Sequence, residues 1–471
     1  MFKGAVRLLL TIVVLCGWGA AAQTGEIEFE LGFRSAVVEN AWNPLRLVVR
    51  DLPTVEFELR VDQGTLRSGS IPLTYFARVD TSRGITVFED ELFIPPWSSL
   101  SWTVRTGART VASGTIDPRL RDERPLSLLL SATPGRWLAS LPAGARPQEV
   151  AAGELSERAA AYSGVAALII DGSASAPTLE SIVTAAAAGA VVVLVEPLPT
   201  SHAALLELLT ASPGGYERLG AGWIVSTPAE GVSQALSGHS GFPLEESLRA
   251  LLTGEERAAP PALSRLTVVA AAALYALVVV LLLRFGGDAG IPSALLVGIM
   301  TATASWLLLR PDRPVIEQPR TVVVSAGGLG LAVPTLALRS LPGGETLVGQ
   351  QMRSAEVLPY SLQGDGTRLT LGRWQRELLV GQPELALGEL AWSGERLTNL
   401  GERVLRDVIV LGLGPQPPLR PGTERRPVAS EETSLPPIYG ELLALLPAGT
   451  AVANDGQHFF VALPAGMEDT L

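Results

Sequence analysis

"YSGVAALIIDGSASAPTLESIVTAAAAGAVVVLVEP", residues 162–197, reads as strand, loop, helix, strand. Two apolar runs, 165–170 and 190–195, flank a segment with Thr178 as helix cap, a row of alanines, and Gly189 where a helix should stop. Val191 to Val195 is apolar at every position, the pattern of a parallel strand buried on both faces rather than of an antiparallel strand with one wet face. Working outward, strand-like runs at 126–132 and 222–226 repeat the alternation with helix-like segments, and "SHAALLELLTASPGG" at 201–215 adds another such helix. Alternation of this kind implies a mostly parallel sheet covered by helices, a doubly wound α/β domain over 123–243.

In such a domain, ligands sit just past the carboxyl ends of the strands. That rule selects Thr133, Asp171, Ser173 and Glu196 as candidate ligand-binding residues. Asp171, Gly172 and Ser173 are equally explained by turn formation and helix entry, so the loop "DGSASAPT" reads first as a corner. A serine hydrolase built on Ser173, His202 and either Glu196 or Asp171 is the chemical alternative. "GHSGF" at 238–242 lacks the final glycine of a lipase elbow and follows a helix-like segment. "AGGLGLA" near Gly327 lacks the helix and acidic partner of a dinucleotide fingerprint and reads as a turn.

Composition narrows the chemistry. Cys16 is the single cysteine, Lys3 the single lysine, and there are three histidines. A form cleaved after the N-terminal apolar run would hold neither thiol nor amine side chains. Cysteine nucleophiles, thiolate zinc sites, the phosphate-loop lysine and Schiff bases are then excluded. No catalytic residue, metal site or cofactor is expected. The net charge of −11 leaves no basic face for nucleic acid.

The flanks supply the rest of the plan. Residues 1–22 have Lys3 and Arg7, an apolar core and a small-residue close at Ala20–Ala22, which is the layout of a secretory signal peptide. Residues 23–122 carry short alternating runs such as "VEFELRVDQG", bounded by Pro, Asp and Gly, and predict a β-sandwich. Trp42, Trp97 and Trp102 are expected to fill its core or edge rather than to form a carbohydrate shelf. A linker at 244–263 leads to uncharged runs within 264–284 and 291–310, read as two transmembrane helices in a tight hairpin. Residues 318–471 predict a β-rich C-terminal domain with a turn at Asp455-Gly456. Together these place the chain in the cytoplasmic (inner) membrane, held in the lipid bilayer by two helices, with both large parts on the extracytoplasmic side.

The α/β segment resembles the glutamine-amidotransferase-like domain of a group of uncharacterised bacterial membrane proteins. The likeness rests on residues 162–197 and on "RLGAGWIVSTP" at 218–228; "ENAWNPLRLVVRDL" and "LTNLGERVLRDVIVL" are similar to the flanking β-domains of that group. Ala166 stands where the group has an acid, and Ala188-Gly189-Ala190 replaces its glycine pair. No residue matches the amidotransferase nucleophile, so the resemblance implies a flavodoxin-like or amidotransferase-like fold that is membrane-anchored and catalytically silent. The resulting expectation is a non-enzymatic scaffold or interaction protein of the cell envelope with an envelope protein partner. A module that senses a small ligand at the α/β strand ends is the alternative.

Overall fold

A computed structural model describes residues 27–464 apart from 53, 64–70, 82–83, 117–121, 198–214, 245–246, 249, 251–264, 286, 309–314, 317–318, 340–343, 355–359, 364–365, 372–375 and 431–439. The expected signal peptide, His202 and most of the expected linker lie outside the described residues. The chain divides into two units, Met1–Glu123 with Ser361–Gly364, and the remainder.

In the first unit, β1 (Ile27–Leu31), β2 (Ala41–Arg50) and β5 (Ile85–Ile94) form one antiparallel sheet. A second antiparallel sheet runs β4 (Ile71–Val79), β3 (Val55–Gln63), β6 (Ser99–Thr106) and β7 (Arg109–Ile116), and residues 361–363 add a parallel strand beside β4. The alternation in "VEFELRV" explains the packing: Val55, Phe57, Leu59 and Val61 are buried, while Glu56 and Arg60 point to solvent. Leu59 sits between Tyr75 and Trp102 on the neighbouring strands. Phe29 of β1 packs on Phe57 and Trp102, with ring centroids 5.6 and 4.7 Å apart, and the Tyr75 hydroxyl donates to Asp90 of β5 at 2.6 Å. Trp42 and Trp97 are buried, and Trp102 stacks on Phe29, so all three serve packing.

The second unit begins with a six-stranded sheet. It contains β8 (Leu126–Leu130), β9 (Arg146–Glu149), β10 (Val165–Asp171), β11 (Val191–Val195), β12 (Tyr216–Leu219) and β13 (Gly222–Thr227), in the order β12-β13-β11-β10-β8-β9. Its pairings are parallel except β12 with β13. The strand and helix read from residues 162–197 are present. Thr178 Oγ1 accepts from Ser181 N at 3.2 Å to open the helix Leu179–Ala187, and Gly189 at φ +113° ends it.

The doubly wound α/β expectation is corrected. That fold needs a substantial helix after each strand, on both faces. Here the crossovers from β8 to β9 and from β9 to β10 use 3-10 turns, Pro134–Ser140, Ala152–Glu154 and Ala159–Tyr162; the nine-residue Leu179–Ala187 is the only crossover α-helix among the described residues. One face of the sheet, with Leu129, Ile169, Val191, Val193 and Val225, packs with Trp137 and with Val232, Ala235 and Leu236 of the short helix Val232–Gly238. Residues outside the strands, Ala159, Ala221, Phe242 and Leu248, share a second core with Val322, Val324, Leu331 and Val461 of a neighbouring β-sheet. The described chain is mostly β-sheet.

The transmembrane hairpin is corrected as well. Helices do form at Arg265–Phe285 and Gly290–Leu308, yet among the described residues no helix is long and apolar enough to cross a membrane. Binding to a lipid bilayer through two helices, and the inner-membrane location that rested on it, therefore lose their support.

The C-terminal part is a larger sheet centred on Arg320–Ala326. That strand pairs antiparallel with Leu329–Arg339 and parallel with His458–Ala462. Gly327 and Gly328, at φ +62° and +80°, supply the left-handed turn that the "AGGLGLA" stretch required. Alternation again divides the strand. Val322 and Val324 join the core shared with Ala221 and Phe242, whereas Val323 packs with Leu390, Trp392 and Phe460.

Candidate functional site

Two places in the second unit gather polar side chains. The first is at the carboxyl ends of β8 and β10. Asp171 closes β10, and its Oδ2 accepts from the Ser131 hydroxyl at 2.9 Å and from Trp137 Nε1 at 3.2 Å. Its Oδ1 accepts from the Ser173 amide at 3.1 Å. Ser173 Oγ in turn accepts from the Ala132 amide at 3.2 Å, and Ser131 Oγ accepts from the Thr133 amide at 3.0 Å. Burial alone would raise the Asp171 carboxyl, but the hydrogen bonds from Ser173, Ser131 and Trp137 outweigh it and hold the group below its ordinary value.

Thr133, Asp171 and Ser173 are thus brought together, and Ser131 and Trp137 complete the cluster. Sequence reasoning missed those two; the only signal was their place just beyond the apolar run "LSLLL". Glu196 follows β11 and accepts from the Ser226 hydroxyl of β13 at 3.0 Å. With His202 outside the described residues, the serine-hydrolase constellation is not assembled among those that are described. An ionised Asp171 carboxylate cannot serve as a general acid, and its oxygens already hold three donors.

The second place is a cavity of about 510 Å³ beside β12 and β13. Tyr216, Arg218 and Trp223 line it with His239, Ser240 and Phe242. "GHSGF" therefore contributes to a pocket wall, not to an elbow. The helix Val232–Gly238 ends there and His239 continues in extended backbone. Gly241 has a packing reason: a Cβ would stand 2.0 Å from the Gly189 carbonyl oxygen. Among the described residues no group of three or more His, Cys, Asp and Glu side chains could hold a metal ion.

No family model matches this chain, and no curated protein matches it.

Proposed function

We propose that this chain is a non-enzymatic interaction protein, a scaffold that acts by presenting surfaces to a protein partner. The observation that supports this reading most directly is that the strand-end carboxylate, Asp171, is engaged by structural donors. An enzyme keeps a nucleophile or base accessible, with acceptors ready for the reacting proton. The two Asp171 oxygens instead hold Ser131, Trp137 and the Ser173 amide, and the exposed Ser173 hydroxyl accepts from the Ala132 amide. The absence of any cysteine after Cys16 and the scarcity of histidines point the same way, as does the resemblance to a silent amidotransferase-like domain. A contact surface of the required kind is available on β5, where Ile85 and Val87 are 60% and 46% exposed on one face.

The test has a catalytic and a binding arm, both on the full-length chain. Ammonia release from glutamine and cleavage of 4-nitrophenyl acetate should proceed at the blank rate, with no change in Ser173→Ala. Sustained turnover lost in that variant would overturn the scaffold reading. A photo-crosslinking residue at position 85 or 87, introduced in the producing cell, should give one defined protein adduct that is absent when the probe is at Glu180. Equal, diffuse labelling from all three positions would remove the case for a specific surface.

A further inference from the structure

The outer edge of β5 has a hydrogen-bonding pattern that selects its occupant. β5 pairs with β2 along its whole length, from Ala41–Ile94 to Arg50–Ile85 without a bulge, and with no other strand among the described residues. The phase of that ladder is fixed at its end. The Asp51 amide donates to the Gly84 carbonyl at 2.9 Å, one step beyond the Arg50–Ile85 pair. In an antiparallel ladder bonded residue pairs alternate with unbonded ones, so even-numbered residues of β5 turn their backbone groups to β2 and odd-numbered ones turn theirs outward. Glu91 agrees with this phase, because its outward amide donates to Asp90 Oδ1 at 2.9 Å. The backbone groups of Ile85, Val87 and Glu89 therefore face away from the sheet, open among the described residues.

The same three residues place their side chains on one face, in rows with β2 and β1. Val87 lies beside Val48, and Glu89 lies beside Arg46 with 3.6 Å between the charged atoms. Ile85 lies beside Arg50, which pairs with Glu28 of β1 at 2.9 Å. Each arginine of these rows thus has a carboxylate within its own sheet, and Ile85 and Val87 remain as exposed apolar groups. Exposed edges are commonly blunted by a bulge, a proline or a lysine. β5, with the sequence ITVFEDELFI, has none of these.

We propose that β5 pairs antiparallel with β5 of a second copy of this chain, about a two-fold axis at Val87. The open positions 85, 87 and 89 are symmetric about Val87, so in this register each outward-facing residue meets another and backbone bonds form at every open position. Val87 meets Val87, which extends the Val48–Val87 row into an aliphatic strip across the joined sheet. Ile85 meets Glu89, so no carboxylate stands opposite a carboxylate, and Glu89 keeps Arg46 as its partner. The assignment rests on the reading of β5 as the contact surface of a scaffold, and it makes the occupant the chain itself.

Sedimentation of the purified full-length chain over a concentration series tests it, and a monomer–dimer equilibrium is expected. Val87→Arg sets two guanidinium groups against each other at the axis and should weaken the dimer about tenfold. Its thermal unfolding should stay that of the parent, because the side chain is exposed. The sign of the charge at position 85 separates strand pairing from a merely adhesive apolar patch. Ile85→Lys places an ammonium opposite Glu89 of the other copy and should tighten the dimer several-fold, whereas Ile85→Glu should loosen it by a similar factor. An adhesive patch would be weakened by both. In the producing cell, the adduct from a photo-crosslinking residue at 85 or 87 should contain this chain alone. A chain that stays monomeric at every concentration, or a loss in Ile85→Lys equal to that in Ile85→Glu, would overturn the self-pairing. A defined adduct with a different protein would also overturn it while leaving the scaffold reading in place, and diffuse labelling would remove both.

Discussion

The Ser131 hydroxyl donates to Asp171 Oδ2 at 2.9 Å, and this bond joins the carboxyl ends of β8 and β10, two adjacent parallel strands. Trp137 Nε1 shares the same oxygen, so the 3-10 turn after β8 is fastened to the carboxylate that ends β10. The place where an α/β enzyme would present its chemistry is here a clasp between two loops. Three donors converge on the two carboxylate oxygens, which makes the clasp sensitive to replacing an acceptor by a donor.

Asp171→Asn should therefore be destabilising although it preserves shape. The amide keeps one acceptor oxygen and places a donor against either the Ser173 amide or the Ser131 and Trp137 donors. Hydrogen bonds to a charged group contribute about 1.5–3 kcal/mol each, so a loss of roughly 2 kcal/mol is expected in urea unfolding of the second unit's transition. Ser131→Ala should cost less, and the double variant less than the sum, because both remove the same bond. Strict additivity would show that the two side chains act independently.

Val192 and Val193 are both fully buried at the centre of the parallel sheet, on opposite faces. Either one changed to Asp places an unpaired charge in the core, which costs several kcal/mol even after the carboxyl shifts to its neutral form. Against a typical domain stability of about 5–15 kcal/mol, each variant should lose most of its cooperative thermal transition. Glu180→Ala, on the exposed side of the helix Leu179–Ala187, should change the melting temperature little and is the control. A valine that tolerates Asp would mean that its face is wet.

That strand marks how far the sequence could be read. An unbroken run of five apolar residues requires burial on both faces, and Val191–Val195 is so buried. What covers the faces is a different matter, because apolar periodicity says that a surface is hidden but not what hides it. A helix does cover one face, where Val191, Val193 and Val195 meet Val232, Ala235 and Leu236; what the pattern did not show is that Ala221 and Phe242, outside the strands, pack in the same core as Val322 and Val461, 80 or more residues further along the chain. The candidate site was legible in part for a similar reason. Thr133, Asp171 and Ser173 follow strands and could be found by position, whereas Ser131 and Trp137 enter through hydrogen bonds that leave no pattern. The aromatic cavity was missed because Tyr216, Trp223 and His239 meet only through β12–β13 register and the return of the chain after the helix at 232–238.

The turn at Asp455-Gly456 carries a pH-dependent element. Asp455 accepts from the amides of Gln457 and His458 at 2.8 and 2.6 Å, from His458 Nδ1 at 2.9 Å, and pairs with Arg403 at 3.3 Å. Burial opposes ionisation, but the bonds from the His458 ring and the two amides prevail and set the carboxyl at about 2. A folded value below the unfolded one gives stability that is complete above about pH 4 and disappears as the pH falls through about 2, with a total of about 2 kcal/mol. The difference in unfolding free energy between the parent chain and Asp455→Asn should shrink by that amount between pH 6 and pH 2. A difference that stays constant with pH would show that the charge on Asp455 is not what stabilises the turn.

Asn43 offers the sharpest test of the first unit. It lies buried in β2, within the "ENAWNPLRLVVRDL" stretch, and all its polar atoms act locally. Its Oδ1 accepts from the Val38 amide at 2.8 Å, and its Nδ2 donates to the carbonyls of Val38 at 2.8 Å and Ala41 at 2.9 Å. The amide thus replaces a missing strand partner for the loop ahead of β2, where Arg34, Ser35 and Asn40 adopt left-handed backbone. Asn43→Ala strands buried backbone groups, each costing about 1–3 kcal/mol, so a loss of about 3 kcal/mol is expected. Asn43→Asp is the discriminating variant. It keeps the acceptor for Val38 N but sets a carboxylate oxygen against two carbonyls, so it should be at least as damaging at pH 7 and should recover in part at low pH, where a protonated acid can donate to one of them. Hydrogen exchange at the Val38 amide reports the bond directly: protection there should fall in Asn43→Ala and survive in Asn43→Asp under acid. Exchange at Val38 that is unchanged in both variants would place the stability of this loop elsewhere.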